Sequence, residues 1–285
     1  MMLRLKEFGA CDCHSHVYGP LDAFPLSPRR TFDPPEAPIE ELESVWTTIG
    51  VDRAVLVQGS AYGDDHSALL AALGSAPKTR RGVALLGYSI GDEQLAEFHS
   101  KGIRAVRLSW VRHPLRADRL ADEQRLADAS ALAERVAPLG WHLEIHMNAA
   151  DLVLLGRLAV PEGIPVVIDH MARIDLAVPE SALRLRSLCE ILDRSAFWVK
   201  LSGADRLAQR CNDLRGALSA MRAILQVAPD RCIWGLDWPH VNLPRTRTDL
   251  SLAELLFEAA ESEEALRKVL IENPARLYGF DDRTA

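Results

Sequence analysis

The chain alternates between short apolar runs and longer stretches in which apolar residues recur every three or four positions. The short runs are rich in β-branched residues, which favours buried strands, and the longer stretches have the period of amphipathic helices. The predicted strands span residues 8–17, 53–58, 81–86, 103–109, 142–146, 165–169, 197–202 and 232–237. The predicted helices lie near residues 39–49, 65–74, 92–99, 122–137, 150–159, 180–193, 212–226 and 249–272.

Eight strands, each followed by a helix, in 285 residues have the count and size of a (β/α)₈ barrel, or TIM barrel. No linker or low-complexity segment interrupts the pattern, so we expect a single domain of the α/β class over residues 1–285. A doubly wound parallel sheet is the alternative, but no G-x-G-x-x-G pattern follows the first strand.

Residues 18–38 break this alternation. The segment contains six prolines, which predicts an ordered but irregular loop after the first strand. In a barrel, such a loop lies over the catalytic face. A plain surface excursion is the alternative.

Composition and charge narrow the class of partner. The net charge of −7 argues against a nucleic acid or an anionic membrane as the main partner, whereas local arginines can still bind a small anion. The first seven residues lack the apolar core of a signal peptide, and no run of 18 apolar residues occurs. The five cysteines are scattered, which is typical of reduced thiols, so we expect a cytoplasmic protein. Cys11 and Cys13 lack the further cysteines that a thiolate metal site needs.

Polar side chains stand where the predicted strands end. His14 and His16 close the first strand, and His146, His170 and Asp237 come at the ends of strands five, six and eight. Barrel enzymes place their chemistry at these carboxyl ends, so the side chains are expected to share one pocket. Side chains at i and i+2 of a strand point the same way, which pairs the two imidazoles of the H-x-H.

Four imidazoles and one carboxylate are donors suited to zinc, with manganese as the alternative. The predicted metal ligands are three of these histidines and the carboxylate, namely His14, His16, His146 and Asp237. The other histidines are less informative: His99 and His142 are expected to be structural or exposed, whereas His66 and His113 lie just beyond strand ends and could reach the rim of the site. His240 is expected to position Asp237 or the substrate.

The sequence resembles the amidohydrolase superfamily, in particular the amidohydrolase-2 group and its 2-pyrone-4,6-dicarboxylate lactonase branch. The resemblance covers nearly the whole chain. It is carried by DCHSHVYGP at 12–20, VLVQ at 55–58, GIRAVRL at 102–108, GWH at 140–142, VVIDHMAR at 166–173, WGLDWPH at 234–240 and NPARLY at 273–278.

The resemblance implies that Asp237 handles the proton and that His14, His16 and His170 surround the reacting carbonyl. It further implies that Arg107 and Arg206 hold substrate carboxylates, which a planar guanidinium group can bind with two parallel hydrogen bonds. We also count Gln58, Ser60, His240 and Asn242 as candidate substrate-binding residues. A further substrate arginine of the lactonases aligns near Arg112 and His113, shifted by one position.

The residue at position 146 distinguishes metal-dependent from metal-free members of the group. The pyrone lactonases of the group act without a metal and carry a tyrosine at this position, whereas metal-dependent relatives carry a histidine. The resemblance therefore favours a metal-dependent form, with metal-free operation left open.

These features predict a hydrolase that opens a carboxylated pyrone, a muconolactone or a sugar lactone by attack of an activated water. Such a reaction needs a base for the water and positive charge at the carbonyl oxygen. A metal-dependent non-oxidative decarboxylase of the same superfamily is the alternative, and a non-catalytic binding protein is the third. The expected partner is a small anionic substrate, bound by a monomer or small homo-oligomer.

Overall fold

Eight parallel strands form one sheet in sequential order, β1 to β8, in the computed structural model of the protein. The structure describes residue 5 and residues 8–111, 121–211, 214–243 and 248–280. The strands are β1 Ala10–Ser15, β2 Val51–Val57, β3 Arg80–Leu85, β4 Ile103–Ser109, β5 His142–His146, β6 Val166–Ile168, β7 Trp198–Leu201 and β8 Cys232–Trp234. The predicted (β/α)₈ barrel is confirmed.

Helices connect the strands and cover the outside of the barrel. The α-helices are α1 Ile39–Ile49, α2 Ser67–Ser75, α3 Asp92–Ser100, α4 Asp122–Val136, α5 Ser181–Arg194, α6 Ala204–Leu207, α7 Leu214–Val227, α8 Asp249–Ala259, α9 Glu263–Arg267 and α10 Asn273–Tyr278. A 3₁₀ segment, Ala149–Arg157, follows β5, and a π-helical turn, Lys268–Glu272, joins α9 to α10. Within the described ranges, no helix is long and apolar enough to cross a membrane.

The barrel closes between β1 and β8 just beyond the regular strands. The His16 amide donates to the Trp238 carbonyl at 2.8 Å, and the Asp237 amide donates to the His14 carbonyl at 2.7 Å. Gly235 permits this approach, since a Cβ atom there would lie 2.6 Å from the Cβ of His14. The closure therefore brings the ends of the first and last strands together.

Two predicted elements differ from the observed ones. The predicted helix 249–272 is divided after α8, because Ser262 caps a new helix by accepting a hydrogen bond from the Ala265 amide. The predicted helix 150–159 is the 3₁₀ segment. Several strands are also shorter than predicted, because residues such as 235–237 leave the regular ladder to enter the active-site face.

The proline-rich segment folds back over the barrel mouth. Tyr18 and Ala37 form an isolated antiparallel bridge at its two ends. Between them, Arg29, Arg30, Thr31 and Phe32 line a cavity at the carboxyl ends of the strands. Residues of this loop therefore form part of the cavity wall.

Candidate active site

A cavity of about 550 Å³ opens at the carboxyl ends of the strands. Its wall includes His16 after β1, Arg107 from β4, His146 at the end of β5, His170 after β6 and Asp237 after β8. Residues from five positions around the barrel thus meet in one pocket, as expected for a barrel enzyme.

Asp237 lies at the centre of this group. Its Oδ1 atom is 3.8 Å from His14 Nε2, 3.7 Å from His16 Nε2 and 3.9 Å from His170 Nε2. All four side chains are almost fully buried. His146 lies on the far side of His170, with ring centroids 5.5 Å apart.

The imidazoles are neutral and the carboxylate is ionised at neutral pH. Burial lowers the pKa of His16 and that of His170 to about 4. Burial opposes the charge of Asp237 as well, but the Arg206 guanidinium group holds its pKa well below the usual range. A buried anion therefore faces neutral imidazoles, an arrangement suited to proton transfer.

Arg206 is the ion-pair partner of Asp237. Its Nε and Nη2 atoms donate to Asp237 Oδ2 at 3.2 and 2.7 Å, which leaves Oδ1 for the imidazoles. Arg107 is also paired, because its Nε donates to Asp169 Oδ2 at 2.6 Å. Both arginines line the cavity, yet each already neutralises a carboxylate of the protein.

A buried ionic layer, which the sequence analysis did not identify as a unit, lies beneath the pocket. The Lys200 ammonium group donates to Glu144 Oε2 at 2.7 Å and lies 3.2 Å from Asp169 Oδ1. The Tyr278 hydroxyl donates to the other oxygen of Glu144 at 2.6 Å. These groups are fully buried and mutually paired, so they form a rigid floor.

Lys200 also determines which ring nitrogen of His14 carries the hydrogen. Its Nζ is 3.1 Å from His14 Nδ1. An ammonium group can only donate, so Nδ1 accepts and the hydrogen of the neutral ring sits on Nε2, which points at Asp237. His16 has the opposite tautomer, because its Nδ1 donates to the Val57 carbonyl at 2.8 Å.

Asp12 ties the H-x-H segment to its surroundings. One carboxylate oxygen accepts from the backbone amides of His14 and Leu236, at 3.0 and 2.9 Å. The other oxygen accepts from Ser15 Oγ and, at 2.9 Å, from Trp46 Nε1 on α1. This buried carboxylate therefore links β1, the segment after β8 and α1.

The other predicted substrate residues fall into two groups. Ser60 and Asn242 line the cavity. Gln58 and His240 are not part of its described lining: the Gln58 amide donates to the Asp65 carbonyl at 2.7 Å, and His240 contacts Asp205 and Asp249. His66 is likewise outside this lining and is bonded to the Asp64 carbonyl, whereas Arg112 and His113 lie outside the described residues.

Three of the four predicted metal ligands offer a compatible donor set. Donor atoms of His14, His16 and Asp237 all lie within 4.8 Å of one another, and His14 Nε2 has no hydrogen-bond partner within the described part of the chain. For His14 to act as a ligand its hydrogen must move to Nδ1, whose nearest carboxylate oxygen, Asp169 Oδ1, lies 3.7 Å away, beyond hydrogen-bond distance. His146 is outside this group, and its Nε2 is 3.3 Å from Arg173 Nη1.

Arg173 is a cavity residue that the sequence reasoning did not select. It belongs to a run of four residues after β6, His170 to Arg173, whose φ angles lie between 49° and 54°. Sequence periodicity cannot reveal a left-handed run of non-glycine residues, because such conformations are rare.

Comparisons with known proteins identify the family of the chain. Residues 11–280 match the Amidohydrolase (Amidohydro_2) family model. A 2-pyrone-4,6-dicarboxylate hydrolase of Comamonas testosteroni is 34% identical over 95% of this chain and 90% of its own length. A 4-sulfomuconolactone hydrolase of Hydrogenophaga intermedia is 31% identical over 95% of this chain and 89% of its own.

A solved structure extends the likeness to three dimensions. A Pseudomonas putida protein, described as a putative 2-pyrone-4,6-dicarboxylic acid hydrolase, superposes with a TM-score of 0.81 at 30% identity. The superposition covers 96% of this chain and 98% of the other. The chain belongs to the Amidohydro_2 family of amidohydrolases.

Proposed function

We propose that the protein is a hydrolase that opens a carboxylated lactone by attack of water activated by Asp237. The observation that carries this proposal is the ionised Asp237, whose Oδ1 faces three buried neutral imidazoles in an arginine-lined cavity. The names of the two curated relatives, a pyrone-dicarboxylate hydrolase and a sulfomuconolactone hydrolase, support a lactone as substrate.

The side chains supply the groups that lactone opening needs. Asp237 Oδ1 takes a proton from water as the water oxygen bonds to the acyl carbon. The Nε2 hydrogen of His14, oriented by Lys200, donates to the developing oxyanion. The ring C–O bond then breaks, and the proton held by Asp237 passes to the departing oxygen. The products are a carboxylic acid and an alcohol or enol.

Contacts to the anionic part of the substrate come from the wall of the cavity. Arg107 and Arg206 each have a terminal nitrogen, Nη1, that their protein carboxylates do not use. We assign these nitrogens, with Ser60 and Asn242, to substrate binding. Arg206 thus has a second role, because it also keeps Asp237 ionised.

The donor set of His14, His16 and Asp237 extends the proposal to one divalent ion, Zn²⁺ first and Mn²⁺ as the alternative. When bound, such an ion polarises the carbonyl and lowers the pKa of water. Lys200 opposes metal binding, because it favours the His14 tautomer in which Nε2 carries the hydrogen. Metal analysis of untagged protein tests this assignment: we expect about one equivalent, and a metal-free active protein contradicts it.

A substrate panel tests the proposed function. Purified protein is assayed with 2-pyrone-4,6-dicarboxylate, a muconolactone and a sugar lactone, with acid release followed by a pH indicator. We expect turnover of at least one carboxylated lactone and a fall of about 10²–10⁴ in turnover for Asp237→Asn, which keeps the shape but removes the base. Unchanged turnover of this variant excludes Asp237 as the base. Release of carbon dioxide supports the decarboxylase instead.

A further inference from the structure

A second cavity, in the form of a groove, lies on the outside of the barrel between the 3₁₀ segment Ala149–Arg157 and helix α5. Its volume is about 530 Å³, and most of the residues that line it are apolar. A 3₁₀ segment has three residues per turn and is narrower than an α-helix, so it leaves space beside α5. Among the described residues, none lines both this groove and the active-site cavity.

The groove presents apolar side chains to the solvent. Within the described ranges, three large apolar side chains are more than half exposed, and two of them, Val153 and Leu183, lie on opposite walls of the groove. Their exposed fractions are 73% and 58%. Leu152 and Ile191, which are less exposed, line the groove as well. A contiguous apolar surface of this kind is typical of an interaction site.

The wall that α5 contributes is one face of the helix. Its residues recur with the helical period, which places them on the same side. They are Leu183, Arg184, Ser187, Glu190, Ile191 and Arg194. The same spacing continues back to Glu180, which is exposed at the start of the helix.

This face of α5 is complementary to itself. Residues at three and at seven positions before and after Ser187 have opposite charges, and those at four positions are both apolar. These pairs are Arg184 with Glu190, Glu180 with Arg194, and Leu183 with Ile191. Two antiparallel copies of α5 that cross at Ser187 therefore place opposite charges, and apolar side chains, against one another. A two-fold interface has this property, because each residue meets its counterpart twice.

The four charged residues of this face are available to a partner. None of them forms an ion pair with a described residue of its own chain. The charge of Arg184 does reach Asp175, but that carboxylate already accepts hydrogen bonds from the Ala177 amide and from Arg210. Exposed ion pairs contribute little to affinity, so these charges would mainly select the partner and its orientation.

We propose that the groove is a homodimer interface, in which a second copy of the chain packs its α5 antiparallel to the first about a two-fold axis at Ser187. Leu183 of each copy then enters the groove of the other, beside Ile191. A stable interface buries about 800 Å² on each partner. Helix α5 has 14 residues and is about 21 Å long, so the 3₁₀ segment with Val153 must contribute to reach this area. The inference does not depend on the proposed function.

Sedimentation velocity tests the interface through charge exchange. Protein concentrations from about 1 to 100 µM cover the weaker end of the affinities that interfaces of this size show, and we expect the wild type to dimerise within them. Arg184→Glu and Glu190→Arg each place like charges across the axis twice, so each should weaken dimerisation at least about tenfold. The double variant exchanges the two charges on the same chain and should restore the dimer.

An apolar substitution provides an independent test with a matched control. Leu183→Glu brings a charge into the groove of the partner and should give a monomer. Tyr88→Glu changes another exposed apolar side chain, one that is not part of the described groove lining, and should leave the dimer intact. Both side chains are more than half exposed, so neither change should unfold the chain. Far-ultraviolet circular dichroism checks that the fold is retained.

A cysteine at the proposed axis tests its position. Ser187→Cys brings two thiols together across the axis and should form a disulfide-linked dimer under mild oxidation. Ser219→Cys, at an exposed position on α7, is the control and should remain unlinked. Both variants are made with Cys189 and Cys211 replaced by serine, because these two native thiols are not fully buried.

The outcomes decide between a second copy and another occupant. A wild type that stays monomeric over this concentration range overturns the proposal and leaves the groove to a different partner. A double charge variant as weak as the single ones, or a dimer that persists in Leu183→Glu, places the contact elsewhere and also overturns it. Because these measurements need no substrate, a failure of the proposed reaction would leave their result unchanged.

Discussion

At the scale of single residues, Arg206 controls the ionisation of the proposed catalytic base, Asp237. Its guanidinium group makes two hydrogen bonds to Asp237 Oδ2, both within 3.2 Å. The ion pair keeps the carboxylate ionised but also makes it a weaker base. Arg206 is therefore expected to affect turnover of every substrate, whether or not it carries an acid group.

Arg206→Met tests whether Arg206 acts through Asp237 or only by binding the substrate. Removing one partner of a buried ion pair costs about 3–5 kcal/mol, because the other charge is left buried and alone. We therefore expect the variant to lose stability and to lower kcat on a neutral lactone as well as on a carboxylated one. Steady-state kinetics with both substrates decide the question. A loss confined to the KM of the carboxylated lactone would make Arg206 a substrate clamp alone.

At the scale of elements, the site depends on the junction of β1 and β8. His14 and Asp237 belong to these two segments, and backbone hydrogen bonds join them directly. Gly235 allows the segments to approach, since a side chain there would collide with the backbone nitrogen of His14 at 2.8 Å. The position of Asp237 relative to the imidazoles is thus a property of barrel closure.

Gly235→Ala is expected to lower the free energy of unfolding by about 1–3 kcal/mol, the usual cost of overpacking, and to reduce kcat. Gly74→Ala is the matched control. No atom lies within 4 Å of a Cβ at Gly74 in α2, so this change should raise stability by up to about 1 kcal/mol. Denaturant titrations of the two variants measure both effects. Equal stabilities would show that the β1–β8 junction tolerates a side chain.

His240 joins the segment after β7 to the start of α8. Its Nδ1 is 3.2 Å from Asp205 and its Nε2 is 2.8 Å from Asp249. Although burial opposes the charge, these two nearby carboxylates, of which Asp249 is hydrogen-bonded, raise the pKa of His240 to about 9 from an ordinary 6.5. The imidazolium ion is therefore a structural cation at neutral pH.

A raised pKa stabilises the fold fully below the unfolded value of 6.5, and this contribution is lost as pH rises through about 9. His240→Asn keeps a residue type that tolerates the positive φ of 59° but cannot carry the charge. The stability difference between wild type and variant should be largest near pH 6 and should shrink above pH 9. A difference that does not change with pH contradicts the charged state.

The site residues that follow the strand pattern could be predicted from the sequence, whereas those placed by irregular segments could not. His14, His16, His170 and Asp237 could be placed together because strand ends of a parallel barrel meet at one face. The pairing of Arg206 with Asp237 could not be predicted, since it depends on the short helix α6 directing one side chain across the mouth. Arg173 was missed because its position depends on backbone angles that L-residues rarely adopt.

At the scale of the whole molecule, charge is distributed unevenly. The chain carries a net charge of −7, while its cavity gathers five arginines around one acidic residue in the described lining. A positive pocket on a negative protein attracts anions over about a Debye length, roughly 10 Å at 0.1 M salt.

Salt should therefore weaken capture of an anionic substrate. We expect kcat/KM for a dicarboxylated lactone to fall several-fold as ionic strength rises from about 0.02 to 0.5 M, because the field of the cavity is screened. A neutral lactone serves as the control and should change little. Parallel loss on both substrates would point to a salt effect on the fold.

The central claim is that water opens a lactone in the Asp237 pocket, and oxygen-18 labelling tests it most directly. The reaction is run in labelled water with the best substrate of the panel, and the product is examined by mass spectrometry. We expect one solvent oxygen in the newly formed carboxylate, with every carbon of the substrate retained. A product without solvent oxygen, or one that has lost carbon dioxide, would contradict it.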